Sequence, residues 1–175
     1  EHGGLFFPEG GWVHPPALCE WQARHPLINV LTHHEALELQ RVDGQWQALA
    51  GDTLLASATV VVLAGAAEIK RFPFSAELPL KRIRGQITRL AQTPDSQALA
   101  TVVCAEGYVA PARLGEHTLG ASFDFKRDDL APTVAEHVGN LEMLREISVD
   151  LAHRLGADAL ADRKSTRLNS SHPGY

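Results

Sequence analysis

The run Val60-Val61-Val62-Leu63-Ala64-Gly65 constrains this chain more than any other feature. It is continuous, apolar and β-branched, the pattern of a strand covered on both faces, and so of a layered α/β arrangement. It ends in two residues with almost no side chain. Ala64 and Gly65 would let a ligand come close to the backbone at the end of the strand. The same two residues suit a tight turn after a core strand, and pattern alone leaves both readings open.

A length of 175 residues fits one domain or pieces of two, and an apolar fraction of 45% allows a packed core. The 16 basic against 21 acidic side chains, net -5, exclude a nucleic-acid footprint spread over the whole surface. A local basic patch remains compatible. No apolar run reaches the ~18 residues of a membrane-spanning helix. Cys19 and Cys104 lie far apart without metal-type spacing, and are read as reduced core thiols of a cytosolic protein. Glu1-His2-Gly3-Gly4 does not look like a start. Residues 163–175 lack any apolar period and are read as a non-native tail. The authentic part is then a fragment of about 1–162, open at both ends.

Gly3 to Trp12 reads as a loop rich in turn residues and large apolar groups. Pro15 and Pro16 open a short helix that Pro26 stops. Ile28–Leu31, Glu35–Val42, Trp46–Ala50 and Leu54–Ala56 are predicted strands, with Asp43-Gly44 as a hairpin turn. Leu80–Leu90 is predicted as one long strand. Thr101–Ala105, Tyr108–Ala112 and His117–Ser122 are predicted as antiparallel strands, turning at Glu106-Gly107 and Gly115-Glu116. Thr133 with Glu136 three residues on forms a capping box. Behind it Val134, Val138, Leu141, Leu144, Ile147, Leu151 and Leu155 mark one helix with one apolar face, stopped by Gly156.

Candidate site residues follow from this layout. Arg82 and Arg84 share one face of the predicted strand, where two guanidinium groups can hold a carboxylate or a phosphate, or simply sit in solvent. Gly85 lies inside that strand, which marks a bulge or a close neighbour. Tyr108 and Arg113 flank the next hairpin; a phenol and an arginine fork can orient an amino-acid-like substrate, or serve packing and the turn. His33-His34 points to opposite faces with no third ligand nearby, so no metal is expected. No G-x-S-x-G elbow, H-E-x-x-H or C-x-x-C occurs.

The order of these motifs resembles a known family. Gly4-Leu5-Phe6-Phe7-Pro8-Glu9-Gly10-Gly11-Trp12-Val13-His14-Pro15 is similar to the loop before a short helix in the D-amino-acid-oxidase-like flavoproteins. Ala58 to Ala66 is similar to their second FAD-side strand. Arg84-Gly85-Gln86 resembles their crossing into the substrate domain, and Tyr108 to Arg113 with Leu119 to Phe123 their substrate-domain hairpin. The wording of Leu5–Leu18 and Cys104–Thr133 resembles the FAD-dependent oxidoreductase half of bifunctional tRNA-modifying enzymes. The resemblance covers nearly all of 1–161.

It implies an α/β FAD-binding (Rossmann-like) domain piece in residues 1–79, lacking the dinucleotide loop. Residues 80–161 are then part of an α+β substrate domain with a mostly antiparallel sheet. It implies FAD, approached by Ala64, Gly65 and Gly85, and a substrate held by Arg84, Tyr108 and Arg113. It implies oxidative removal of the carboxymethyl group from 5-carboxymethylaminomethyl-2-thiouridine at tRNA wobble position 34, in the cytoplasm. S-adenosylmethionine would serve a methyltransferase half absent from these residues. Against the family's Tyr-x-x-Pro-Arg, Pro111-Ala112-Arg113 carries an inserted alanine, and one residue flips a strand side chain. No G-x-G-x-x-G is present, so this stretch alone is expected to hold FAD poorly and to be inactive. The rival readings are a glycine- or sarcosine-like small-amine oxidase and a non-catalytic α+β RNA-binding module.

Overall fold

The computed structural model describes residues 3–127 and 129–157, and the expected tail lies outside them. Residues 19–82 make one unit. Residues 3–18 and those from Ile83 onward make the other. The expected border at 79/80 falls close to this division, while residues 3–18 group with the later segment. Helix α1 (Pro15–Ala23) opens on its prolines and buries no residue.

In residues 19–82, β1 (Glu38–Val42), β2 (Gln45–Ala50) and β3 (Thr53–Ala58) form an antiparallel meander. The first turn is Asp43-Gly44 as expected. Both residues have positive φ, 49° and 79°, which matches the twist of the flanking strands. Trp46 packs on Phe74 at 5.4 Å between ring centroids, and Arg41 lies 5.9 Å from the Trp46 ring. Two expectations differ from the structure. Ile28–Leu31 is irregular rather than a strand. Val60–Leu63 is also not a strand, and Val60 and Val62 are 72% and 81% exposed. The reason is pairing. A strand needs a neighbour to satisfy its backbone, and the meander ends at Ala58 with no described segment hydrogen-bonded to 60–63.

The later segment carries the core. β4 (Thr88–Ala91), β5 (Val103–Cys104), β6 (Tyr108–Val109) and β7 (Glu116–Gly120) form an antiparallel sheet in the order β4-β7-β6-β5. Leu90, Val109, Leu119, Leu141, Leu144, Ala152, Leu155 and Ala157 form one buried cluster between this sheet and α2 (Val134–Ile147) with α3 (Val149–Arg154). Pairing in the predicted long strand starts at Arg84, which exchanges backbone hydrogen bonds with Asp124. The ladder is regular only from Thr88, because the Gln86 amide donates to the Ser122 hydroxyl at 2.9 Å instead of a carbonyl. The β6–β7 turn is Leu114-Gly115, with φ 55° and 80°.

Thr133 caps α2 as expected, accepting from the Glu136 amide, but the expected capping box is half formed: the Thr133 amide donates to Gln86 Oε1, and the Glu136 carboxylate is taken by Arg84, Ser122 and the Thr133 hydroxyl. The single expected helix is two. Ser148 is extended (φ -166°, ψ 121°) and its hydroxyl accepts from the Leu151 amide, so it ends α2 and starts α3. The buried stripe of α2 is His137, Asn140, Leu141 and Leu144, while Val134 is 50% exposed. The facing strand presents Gln86 and Thr88, so the first half of the helix meets it with hydrogen-bonding groups. Cys19 and Cys104 are free but exposed, not core thiols. One lies on a helix that buries nothing, the other on the terminal strand of its sheet.

Candidate active site

Strand alternation sorts residues 84–91 into two faces. Arg84, Gln86, Thr88 and Leu90 are buried, whereas Gly85 and Arg89 are exposed and Ile87 is half-buried. The buried set packs toward α2. Arg84, read from sequence as a substrate ligand, turns its whole guanidinium inward. Its Nη1 meets both oxygens of Glu136, its Nε donates to the Asp129 carbonyl at 2.7 Å, and its Nη2 donates to the Ala131 carbonyl. Glu136 also accepts from the Ser122 hydroxyl at 2.7 Å and the Thr133 hydroxyl at 2.8 Å. Burial pushes the Glu136 carboxyl up, but bonds from Ser122, Arg84 and Thr133, with the Arg84 charge, hold it below the usual carboxylate value. The bond to Arg84 spans 52 residues of sequence. This clasp fastens the 129–133 loop to the strand.

A second polar group lies beside it. Gln86 exchanges hydrogen bonds with the Thr133 backbone at 2.7 and 3.0 Å, and Asn140 reaches the Gln86 carbonyl and the Thr88 hydroxyl. His137 Nδ1 meets Thr88 Oγ1 at 3.1 Å, its Nε2 has no partner among the described residues, and burial lowers its pKa. Further along the sheet His117 is fully buried, between the Ala110 carbonyl and the Ser96 hydroxyl. Sequence reading passed over these histidines, Gln86 and Asn140. The signal lay in polar residues at 84, 86 and 88 facing polar residues at 136, 137 and 140, a strand period matched to a helix period.

The opposite face of the sheet is the open one. Tyr108 stands opposite Gly120, outside the buried set that includes Val109 and Leu119. Burial raises the phenol's pKa, so it remains a proton donor near neutral pH, and its hydroxyl meets no described residue. Gly120 is buried and lets Ile87 pack closely against its backbone. A Cβ there would lie 3.0 Å from Ile87 Cγ2. Gly85 is explained by a close neighbour, since a Cβ would meet the Ser122 carbonyl oxygen at 3.0 Å. Arg89 pairs with Glu116 at 3.0 Å. Arg113 is exposed and exchanges backbone hydrogen bonds with Glu116. Its guanidinium has no partner among the described residues. Tyr108 and Arg113 are not gathered at one point. Gly120 and Glu116 are four residues apart on β7, about 13 Å at the usual strand rise.

Ala64 and Gly65 belong to the other unit. Both are exposed; Gly65 precedes the 3-10 helix Ala66–Arg71, and its carbonyl accepts from the Glu68 amide at 3.0 Å. A Cβ on Gly65 would touch only Ile69, at 3.3 Å from Cγ2. Among the described residues no cluster of His, Cys, Asp or Glu is arranged to hold a metal, and no helix is long and apolar enough to cross a membrane.

A family profile described as FAD dependent oxidoreductase (DAO) matches residues 1–164. The chain belongs to this family, with an FAD-binding-type part and an antiparallel-sheet part. Among curated proteins, it is 80% identical over 180 aligned residues to the tRNA 5-methylaminomethyl-2-thiouridine biosynthesis bifunctional protein MnmC of Pseudomonas fluorescens, covering 100% of this chain and 27% of that protein. It is 72% identical over 158 residues to the protein of that name from Pseudomonas putida, covering 90% of this chain and 24% of the relative. It is 68% identical over 166 residues to the one from Pseudomonas syringae pv. tomato, covering 95% and 25%. The chain thus spans about a quarter of the length of the curated relatives it matches.

Proposed function

We propose that these residues serve an oxidase that removes the carboxymethyl group from 5-carboxymethylaminomethyl-2-thiouridine at tRNA wobble position 34. The observation that carries this reading is the full-length match of the chain to relatives named for 5-methylaminomethyl-2-thiouridine biosynthesis, within an FAD-dependent family. FAD, when bound, accepts the hydride equivalent from the carbon next to the substrate's secondary amine. The carbon–nitrogen double bond so formed in the substrate then hydrolyses, releasing glyoxylate and leaving 5-aminomethyl-2-thiouridine. In the bifunctional protein a separate half would methylate that amine from S-adenosylmethionine.

The residues of this chain bind and orient. Ala64 and Gly65 offer bare backbone to the cofactor, and Gly85 offers bare backbone of its own at the start of the later sheet. Tyr108 donates a hydrogen bond from its phenol, opposite Gly120. Ile87, packed against Gly120, adds an apolar surface there. Arg84 acts as a positioning residue, since its donors are engaged by Glu136, Asp129 and Ala131. It holds the strand and the 129–133 loop in register. Arg113 is left to meet negative charge. The partner is tRNA, and the setting is the cytoplasm.

The test is turnover by the complete flavin-loaded protein on tRNA carrying the carboxymethylaminomethyl group. Nucleoside mass spectrometry should show uridine 34 lighter by the carboxymethyl group, with glyoxylate formed in equal amount. Oxidation of glycine or sarcosine with the tRNA untouched would sink this reading in favour of a small-amine oxidase. tRNA binding with no flavin reduction by any amine would favour an RNA-binding module.

A further inference from the structure

We propose that Arg89 and Arg113, placed around Glu116, form a phosphate-recognition point for the RNA substrate at the turn end of β7, apart from the Tyr108 end that handles the reactive group. This rests on the tRNA reading above and deepens it.

Three observations carry it. Arg113 and Glu116 flank the two-residue turn Leu114-Gly115 and exchange backbone hydrogen bonds at 2.9 and 3.2 Å, so the base of Arg113 is fixed while its guanidinium is free among the described residues. Arg89 stands on the neighbouring strand opposite Thr118, one row from Glu116, and pairs with it while 40% exposed against 38% for the carboxylate. A pair so exposed is screened and readily exchanged. Glu116 therefore acts as a placeholder that an incoming phosphate can displace, and two arginine forks suit phosphate oxygens. The third observation is distance. The turn end lies about 13 Å along β7 from Gly120, which faces Tyr108. A carboxymethylamino group is too short to touch both ends, so an anion bound at the arginines belongs to another part of the substrate. On RNA that part is the phosphodiester backbone.

The experiment uses the complete flavin-loaded protein, with tRNA retention and turnover measured separately across a salt series. R89A and R113A should each raise the KM for tRNA severalfold with kcat kept. Each should also reduce the slope of log affinity against log salt by about 0.7–0.9, the release expected for one phosphate contact. Arg113→Lys should recover most of the slope. Glu116→Gln should act in the opposite direction and tighten tRNA retention, which a purely structural role for the pair would not produce. Unchanged slopes in both arginine variants would overturn the proposal. So would a loss equally large on the free modified nucleoside, which would place the arginines on the substrate carboxylate. Wild-type protein that retains tRNA with the stated slopes but never oxidises it would sink the oxidase reading and leave the phosphate contact standing.

Discussion

Residues 19–82 and residues 83–157 differ in how much of their secondary structure is held by burial. The later segment closes eight apolar residues into one cluster, seven of them at 1% exposure or less. In 19–82 the buried residues are Phe72 and Ser75, while Leu27, Ile28, Val30, Leu31, Val60 and Val62 stay exposed. The meander β1-β2-β3 nonetheless forms. Its turns and cross-strand pairs are local, and an antiparallel ladder satisfies its own backbone. Core formation needs residues far apart in sequence to meet. The helices at 134–154 supply them for the later sheet, and nothing described supplies them for the run at 60–63.

That contrast can be broken first at the clasp. Arg84→Met leaves Glu136 buried without its cation, and the later segment should lose about 3–5 kcal/mol, read by chemical denaturation followed in the far ultraviolet. Protection of the α2 amides against hydrogen exchange should fall, while that of β1-β2-β3 should not. If Arg84→Met melts both segments alike, their independence is wrong.

The core comes next, and it sharpens the comparison directly. Leu119→Ala removes a side chain at 0% exposure and should cost about 2–5 kcal/mol. Val62→Ala, at 81% exposure, should change the stability of this chain by less than about 0.5 kcal/mol. Equal effects would mean that 60–63 is packed in solution.

The smallest effect is pH dependence, confined to the later segment. His137 has a pKa lowered by burial from the ordinary 6.5, so its contribution is complete above that value and is lost as pH falls through the folded pKa. Glu136, also lowered, contributes above its ordinary 4.5 and loses that as pH falls further. The helix amides should therefore weaken in two steps on acidification. His137→Gln should remove the upper step, and an unchanged profile in that variant would assign the step elsewhere.

Much of the fold was legible where signals are short-ranged. Asp43-Gly44 set a hairpin because only residues tolerant of positive φ fit its turn. Thr133 and Glu136 set a helix start because a hydroxyl three residues away completes the first turn. Ser148 was missed as a break because its neighbours keep the apolar spacing, and a serine is a cap only when the chain before it is extended. At the site, Tyr108 and Gly85 could be picked out by type and spacing. Their neighbours Gly120 and Ser122 become meaningful only once β7 is in register with β6 and the 84–91 strand.

The sequence by itself determined the turns, the caps, the antiparallel hairpin of the later segment and the membership of an FAD-dependent oxidoreductase family. Tertiary structure alone decided that Arg84 spends its charge on Glu136 rather than on a ligand. It also decided that Arg89 turns to Glu116, and that Val60–Leu63 goes unpaired among the described residues. Turn and cap preferences are written within four residues of backbone. The partner of a buried charge, or the neighbour of a strand, is fixed by contacts across dozens of residues.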